Sequence, residues 1–343
     1  MENAEITRVG VAGEGKMGSG IIHFLAEQGF HTTWLCSRTA DTEKLARQWN
    51  KKARRMLEAG ILDSVCFDRF SSILITTESA ALADCDLVIE AIPESADLKR
   101  DFFSALDPVV KPSAIFASCS SSINPSEMVP SGPRAERFLG MHFFYPVALV
   151  NVVELIVSPT TTLQTAELAE RFLSQAGRRS ITLDERNGFI LNRIFLDVQN
   201  EGYRLVQSRR CTFQQMDLVV KENLFPFGLF DFCDSVGIAT MRAAVANYIR
   251  DYPHRDYFAG FIEKLDDLLQ NGRTGTKAGA GFYDYPLADS MPVLPPDAAE
   301  LAAFLRQTWL SSCRRFTATA RLPLDDANHA IREYFGLPDG PFG

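Results

Sequence analysis

The sequence predicts an α/β fold, a doubly wound sheet followed by an all-α C-terminal domain. Three observations carry that expectation. Short apolar runs bounded by turn residues alternate with amphipathic helical stretches over residues 1–185, the pattern of βαβ units. A glycine-rich turn stands directly between the first apolar run and the first helical one. Beyond Asp184 the strand-like runs stop and the helical period takes over.

Taken in order, "ITRVGVA" (6–12) reads as a short buried strand. "IIHFLAEQGF" reads as the helix after it, closing near Gly29, where glycine suits a helix end. "HTTWLCS" supplies the second strand, and "DTEKLARQWNKKARRMLEAGIL" one long amphipathic helix with a basic face. "SILITT", "DLVIEAI", "AIFASC" and "FLGMHFF" are further strands, interleaved with helices such as "DLKRDFFSALDPVV". That alternation predicts a parallel sheet. From "NGFILNRIFLDVQNEGYRLVQ" onward the chain is helical, "RDYFAGFIEKLDDLLQNG" adds a further helix, and "GAGFYDY" gives a glycine-rich close. The proline-rich stretch 286–298 reads as a linker before a last helical segment, "AELAAFLRQTWLSSCRRFTATA".

The expected domains are therefore 1–185, 186–285, and 286–343 as a linker with a partial helical repeat. Sliding the tail back by 112 positions lays Pro338 on Pro226, Gly340 on Gly228 and Phe342 on Phe230. The same shift lays Phe304 on Asn192.

The bulk numbers bound the function. With 343 residues, 46% hydrophobic and 23% charged, the chain is an ordinary globular protein long enough for more than one folding unit. A net charge of -8 argues against nucleic acid as a partner of the whole molecule. No apolar run approaches the length of a membrane span, and the N-terminus shows no basic, cleavable leader. The seven cysteines are scattered and form no C-x-x-C pair. Reduced thiols in a cytoplasm are expected, with neither a disulfide frame nor a metal site.

Gly13, Gly15 and Gly18 make G-x-G-x-x-G between strand and helix, the context in which that spacing marks a Rossmann-type dinucleotide site. The first glycine allows the tight turn, the second lets a pyrophosphate approach the backbone, and the third lets the helix pack on the strand. Helix N-terminal N–H groups then face the phosphates. Lys16 and Met17, inside the motif, are counted with the cofactor residues. About twenty residues on, an acid usually takes the adenosine ribose hydroxyls. Here that place reads Cys36, Ser37, Arg38, Thr39. Two hydroxyls and a planar cation suit a 2′-phosphate, so the expected cofactor is NADP, with NAD as the alternative.

Several motifs in order, "GVAGEGKMGSGI", "DLVIEAIPES", "IFASCSSS", "RFLGMHFFYPV", "NVVELI", "NGFILNRI" and "GRTGTKAGAGFYDY", resemble the L-3-hydroxyacyl-CoA dehydrogenase family over residues 8–285. The resemblance implies that His142 takes the hydroxyl proton while hydride leaves for the nicotinamide, and that Glu154 orients the ring. It assigns Ser121 to both the substrate oxygen and the cofactor, and Asn192 to the substrate oxygen. Glu94, Lys99 and Lys277 match cofactor positions, and Tyr145 stands where the family has an asparagine at the nicotinamide. Cys119 replaces a second asparagine. The family's hairpin that helps to bind coenzyme A falls on 41–70, where Lys51, Lys52, Arg54 and Arg55 form a basic face for phosphates or for an acidic carrier protein.

The implied activity is interconversion of a 3-hydroxyacyl thioester and its 3-oxoacyl form. The alternatives are a hydroxyacyl unit on a carrier protein and a free hydroxy acid of the gulonate or carnitine kind. A non-catalytic, crystallin-like protein is the remaining class. The resemblance also implies a homodimer through the helical domain. Phe304 cannot repeat the chemistry of Asn192, so the tail is expected to be a structural cap with no second site.

Overall fold

Two compact units divide the chain, Met1–Gly188 and Phe189–Gly343. The computed structural model describes residues 5–252, 254–287 and 292–342; part of the expected linker, 288–291, lies outside them.

The first unit holds one eight-stranded sheet in the order β3-β2-β1-β4-β5-β6-β7-β8. Its strands are β1 (Arg8–Ala12), β2 (His31–Leu35), β3 (Leu74–Thr76), β4 (Leu87–Glu90), β5 (Ile115–Ser118), β6 (Phe138–Phe143), β7 (Val152–Val157) and β8 (Arg179–Asp184). Its helices are α1 (Lys16–Glu27), α2 (Thr42–Glu58), α3 (Ser64–Ser71), α4 (Ala96–Leu106) and α5 (Leu163–Gln175). Central strands are buried on both faces, as helix-covered sheets require. Leu87 and Ile89 of β4 enter one apolar cluster with Val9, Val11 and Trp34, whereas Val88 enters another with Phe103, Phe116 and Phe138. That split follows from the two-residue period of a strand.

Two details differ from the sequence expectation. The sheet is not wholly parallel, because β7 runs antiparallel to β6. Residues 144–151 are too few to carry a parallel crossover, which takes a dozen or more residues. The long helix expected over 41–62 also ends early, at Glu58, and α3 follows it within the stretch 41–70 where the resemblance implies a hairpin. Gly60, with φ 70°, ends α2, and the Asp63 side chain accepts from Cys66 N at 2.7 Å to start α3. Trp49 fastens this hairpin to the sheet. Its Nε1 donates to Phe70 O at 2.9 Å, and its ring meets Trp34 edge-on at 5.4 Å.

The second unit is helical: α6 (Ile190–Gln207), α7 (Phe213–Asn223), α8 (Phe230–Val236), α9 (Ile238–Tyr248), α10 (Ala259–Gln270), α11 (Ala298–Ala320) and α12 (Leu324–Phe335). α6 is buried along most of its length. The tail forms two helices, where the sequence reading marked one. α11 packs against α6 and α7, and α12 against α6 and α11. Phe335 of α12 is fully buried and stacks on Phe225 at 4.4 Å, with Trp309 at 5.8 Å and Phe195 at 6.0 Å. Ser312 and Arg315 of α11 both donate to the buried carboxylate of Asp197 on α6.

Among the described residues, no helix is long and apolar enough to cross a membrane, and no cluster of ligating side chains suits a metal ion. All seven cysteines are free thiols.

Candidate active site

The glycine turn lies at the carboxyl end of β1, beside β4, where the strand order reverses. Open α/β sheets bind ligands at such a point. Gly13 has φ 114°, and a Cβ there would sit 2.4 Å from Ala91 O. A Cβ at Gly18 would sit 2.0 Å from Gly13 O, so α1 reaches its close seat on β1 only with glycine. At Gly15 a Cβ would meet nothing within 4 Å, which leaves open backbone for an incoming group. The turn is pinned by Gly13 N donating to Leu35 O at 2.9 Å and Trp34 Nε1 donating to Gly13 O at 2.8 Å. Lys16 is exposed, with its Nζ 5.8 Å from the Tyr145 ring; Met17 leans on the core.

Ser37, Arg38 and Thr39 are all exposed past the end of β2. Burial, then the nearby Glu14 carboxylate, pushes the Cys36 thiol up to about 11, so it stays neutral. A carboxylate nevertheless stands there, and sequence reasoning missed it. Glu14, inside the glycine motif, accepts from Ser37 N at 3.1 Å and from Ser37 Oγ at 2.5 Å. Partial burial pulls its pKa up, and the Ser37 bonds outweigh that, leaving it below the ordinary value. The only signal was an acid between the first two glycines.

A second carboxylate organises the loop after β5. Glu94 Oε1 accepts from Ser120 Oγ (2.6 Å), Ser121 N (3.1 Å), Ser122 N (3.2 Å) and Ser122 Oγ (3.1 Å). Lys99, expected at the cofactor, is 1% exposed. Its three donors go to Glu90 Oε1 at 2.6 Å, Ile92 O at 3.3 Å and Glu94 Oε2 at 3.4 Å. Lys99 therefore holds two carboxylates. Glu90 had no place in the sequence reading. It is fully buried and also accepts from Ser118 Oγ at 2.6 Å and Ile92 N at 2.7 Å.

His142 and Glu154 face each other directly across the antiparallel β6–β7 ladder. Both are buried, and His142 Nδ1 lies 2.7 Å from Glu154 Oε2. A hydrogen bond at that distance fixes the ring plane and tautomer. Phe144 packs at 4.3 Å from the imidazole. Ser121 follows the end of β5, the strand next to β6.

In the helical unit, Asn192 sits in the first turn of α6. Its Nδ2 donates to Tyr248 Oη at 2.7 Å, and its Oδ1 accepts from Tyr334 Oη at 2.9 Å. Lys277 is exposed in the 3₁₀ turn Thr276–Ala278. In the first unit, Lys51, Lys52, Arg54 and Arg55 are all exposed on α2. Lys52 Nζ lies 3.4 Å from His23 Nδ1.

A glycine turn at the reversal point of such a sheet, with a buried imidazole–carboxylate pair beginning three strands away, defines a dinucleotide-dependent oxidoreductase. Residues 8–186 match the family model described as 3-hydroxyacyl-CoA dehydrogenase, NAD binding domain, and residues 188–285 the one described as its C-terminal domain. A 3-hydroxybutyryl-CoA dehydrogenase from Bradyrhizobium diazoefficiens is 32% identical over 295 residues, 84% of this chain and 99% of the relative. The solved (S)-3-hydroxybutyryl-CoA dehydrogenase from Ralstonia eutropha is 29% identical with a TM-score of 0.74, covering 82% of this chain and 99% of that one. A solved 3-hydroxybutyryl-CoA dehydrogenase from Escherichia coli is only 19% identical, yet shares the fold over 99% of this chain and 91% of its own, with a TM-score of 0.81. The chain belongs to the 3-hydroxyacyl-CoA dehydrogenase family.

Proposed function

We propose that this protein interconverts 3-hydroxyacyl-CoA thioesters and their 3-oxoacyl forms, with His142 carrying the proton. The observation that carries this reading is the 2.7 Å contact between His142 Nδ1 and the buried Glu154 carboxylate. A bound nicotinamide dinucleotide supplies the hydride acceptor in one direction and the donor in the other. The open backbone at Gly15 and the free approach to the α1 N-terminus fit its pyrophosphate. In the oxidative direction the imidazole takes the hydroxyl proton through Nε2, and Glu154 stabilises the imidazolium so formed. In the reductive direction the imidazolium returns that proton to the developing alkoxide. The resemblance assigns Ser121 and Asn192 to the substrate oxygen, and each carries a donor suited to a developing negative charge.

His142→Gln and Glu154→Gln test these roles. Each is expected to lower kcat by about 10²–10⁴-fold while NADH and NADPH titrations stay near wild type. Full turnover in either variant removes the assigned chemistry.

The finer cofactor reading is NADP, with NAD as the alternative. Exposed Ser37, Arg38 and Thr39 support the first. Glu14 supports the second, since its carboxylate already takes two Ser37 donors and repels a 2′-phosphate. Arg38→Ala is expected to weaken NADPH selectively, and Glu14→Gln to tighten it selectively. An equal change with NADH, or none, counts against the phosphate pocket.

The exposed cations of α2 support a thioester carrier bearing phosphates, coenzyme A first and an acidic carrier protein second. Free hydroxy acid tested beside both thioesters separates the three substrates. The seven free thiols support a reducing, cytoplasmic setting. Exposed Val236, Phe304 and Leu324 support a homodimer through the helical unit. The tail as a partial repeat is supported by one paired detail. Asn328 accepts from Phe342 N at 2.9 Å beneath Gly340, as Asp217, one position out of the 112-residue register, accepts from Phe230 N at 3.0 Å beneath Gly228.

A further inference from the structure

Asn192, on one helix, is fixed by groups from two other helices of the same unit. It stands in the first turn of α6, Tyr248 closes α9, and Tyr334 lies in the last turn of α12. Tyr334 Oη donates to Asn192 Oδ1 at 2.9 Å, and Asn192 Nδ2 donates to Tyr248 Oη at 2.7 Å. A primary amide is planar, so a phenol bonded at each end fixes both its plane and its facing. Rotation about the last side-chain bond breaks both contacts.

Both phenols are themselves held. Tyr248 is 5% exposed. Tyr334 is half-buried, and its ring meets Phe335 edge-on at 4.8 Å. Phe335 is the residue by which α12 locks into Phe225, Trp309 and Phe195. Gly336, with φ 65°, ends α12 immediately after that anchor.

The matched family models end at residue 285, whereas Tyr334 lies in the tail beyond them. The tail had been expected to serve as a cap alone. We propose that Tyr334 is a positioning residue for Asn192, so that the C-terminal segment tunes turnover by orienting an amide of the active site. This rests on the reading in which Asn192 acts on the substrate oxygen. An amide held in one orientation needs no reorganisation as charge develops on that oxygen, and preorganised donors lower the barrier for that reason. An amide free to turn spends part of its time misdirected, which lowers kcat more than substrate affinity.

Tyr334→Phe removes one oxygen and keeps the ring that packs on Phe335. It is expected to lower kcat by about three- to tenfold, the kinetic equivalent of one lost hydrogen bond. KM, the NADH dissociation constant and the thermal midpoint should change little. The decisive measurement is a double-mutant cycle with Asn192→Ala. In that background Tyr334→Phe should cost nothing further, because the group it orients is gone. The same fold-loss in both backgrounds overturns the proposal, since Tyr334 then acts independently of Asn192. So does a slow Asn192→Ala variant beside a Tyr334→Phe variant at full speed. Wild-type kcat in Asn192→Ala has a different meaning: it sinks the role of Asn192 itself, and this inference with it.

Discussion

Lys99 is buried, and the fold tolerates its amino group because every donor is matched. Its partners Glu90 and Glu94 tie β4 and the loop after β5 to α4. Burial pushes the Glu90 carboxyl up, and Lys99 pulls against that rise. Removing one member of such a set leaves the others desolvated and unpaired. Lys99→Met is therefore expected to cost about 3–5 kcal/mol by urea denaturation, and to loosen the serine loop that Glu94 gathers. Unchanged stability combined with weaker cofactor binding would show that Lys99 acts on the cofactor directly.

Residues differ in how legible this was beforehand. His142 and Glu154 were readable only through the resemblance carried by their motifs, since a lone histidine reads as a core residue. The burial of Lys99 was not legible, because lysines are rarely buried and nothing local announces the two carboxylates that make it possible. Glu14 was invisible for another reason. Its partner Ser37 is brought near by the pairing of β1 with β2, and no helical or strand period encodes that contact.

At the level of elements, the edges of strands depend on clasps as much as on ladders. Asp86, just before β4, accepts from Thr7 N at 2.9 Å and Arg8 N at 2.8 Å, and from Lys111 Nζ at 2.6 Å. It thus holds the entry to β1 and the approach to β5 together. Partial burial raises its carboxyl, and Lys111 with the two backbone donors lowers it further, to a pKa below the ordinary 3.8. A carboxyl depressed by folding contributes fully above its unfolded pKa and loses that contribution as pH falls through the folded value. Asp86→Asn should then destabilise by about 1–2 kcal/mol near neutrality. The gap from wild type should begin to shrink below pH about 4 and close as pH falls through the lower folded value. A gap that stays constant from pH 7 to pH 3 would show that charge has no part in the clasp.

The strands and their order of appearance were legible because apolar runs between turn residues are a strong signal. Their direction was not. β6 and β7 are both buried nearly throughout and apolar but for His142 and Glu154, and only the short connection between them makes the pair antiparallel. That reversal sets His142 opposite Glu154. Helix ends were partly hidden in the same way, since Gly60 and Asp63 lie inside a stretch whose composition stays helical throughout.

At the scale of the whole chain, the tail is a structural part of the helical unit. Leu301, Leu305, Trp309 and Cys313 of α11 are buried, and Phe335 of α12 fills a ring of aromatic side chains. Ending the chain after Tyr285 would uncover those neighbours and strip Asp197 of Ser312 and Arg315. Such a truncation is expected to aggregate or to melt more than about 10 °C lower, given that 1 kcal/mol moves a domain of this size by roughly 2–4 °C. A soluble truncation with the full thermal midpoint would show that the tail is dispensable to the fold. Sequence alone marked the tail as helical and repeated. It could not show the second helix doing more than echoing an earlier one, because the tyrosine it delivers has no counterpart in the alignment of the repeat.

The polypeptide link between α12 and α6 has a consequence for concentration. A side chain delivered by a separate subunit departs when the protein is diluted, and its effect departs with it. One delivered on the same backbone is present at a fixed, high local level at any dilution. Whatever association the helical unit undergoes, the hydroxyl of residue 334 travels with the amide that it grips.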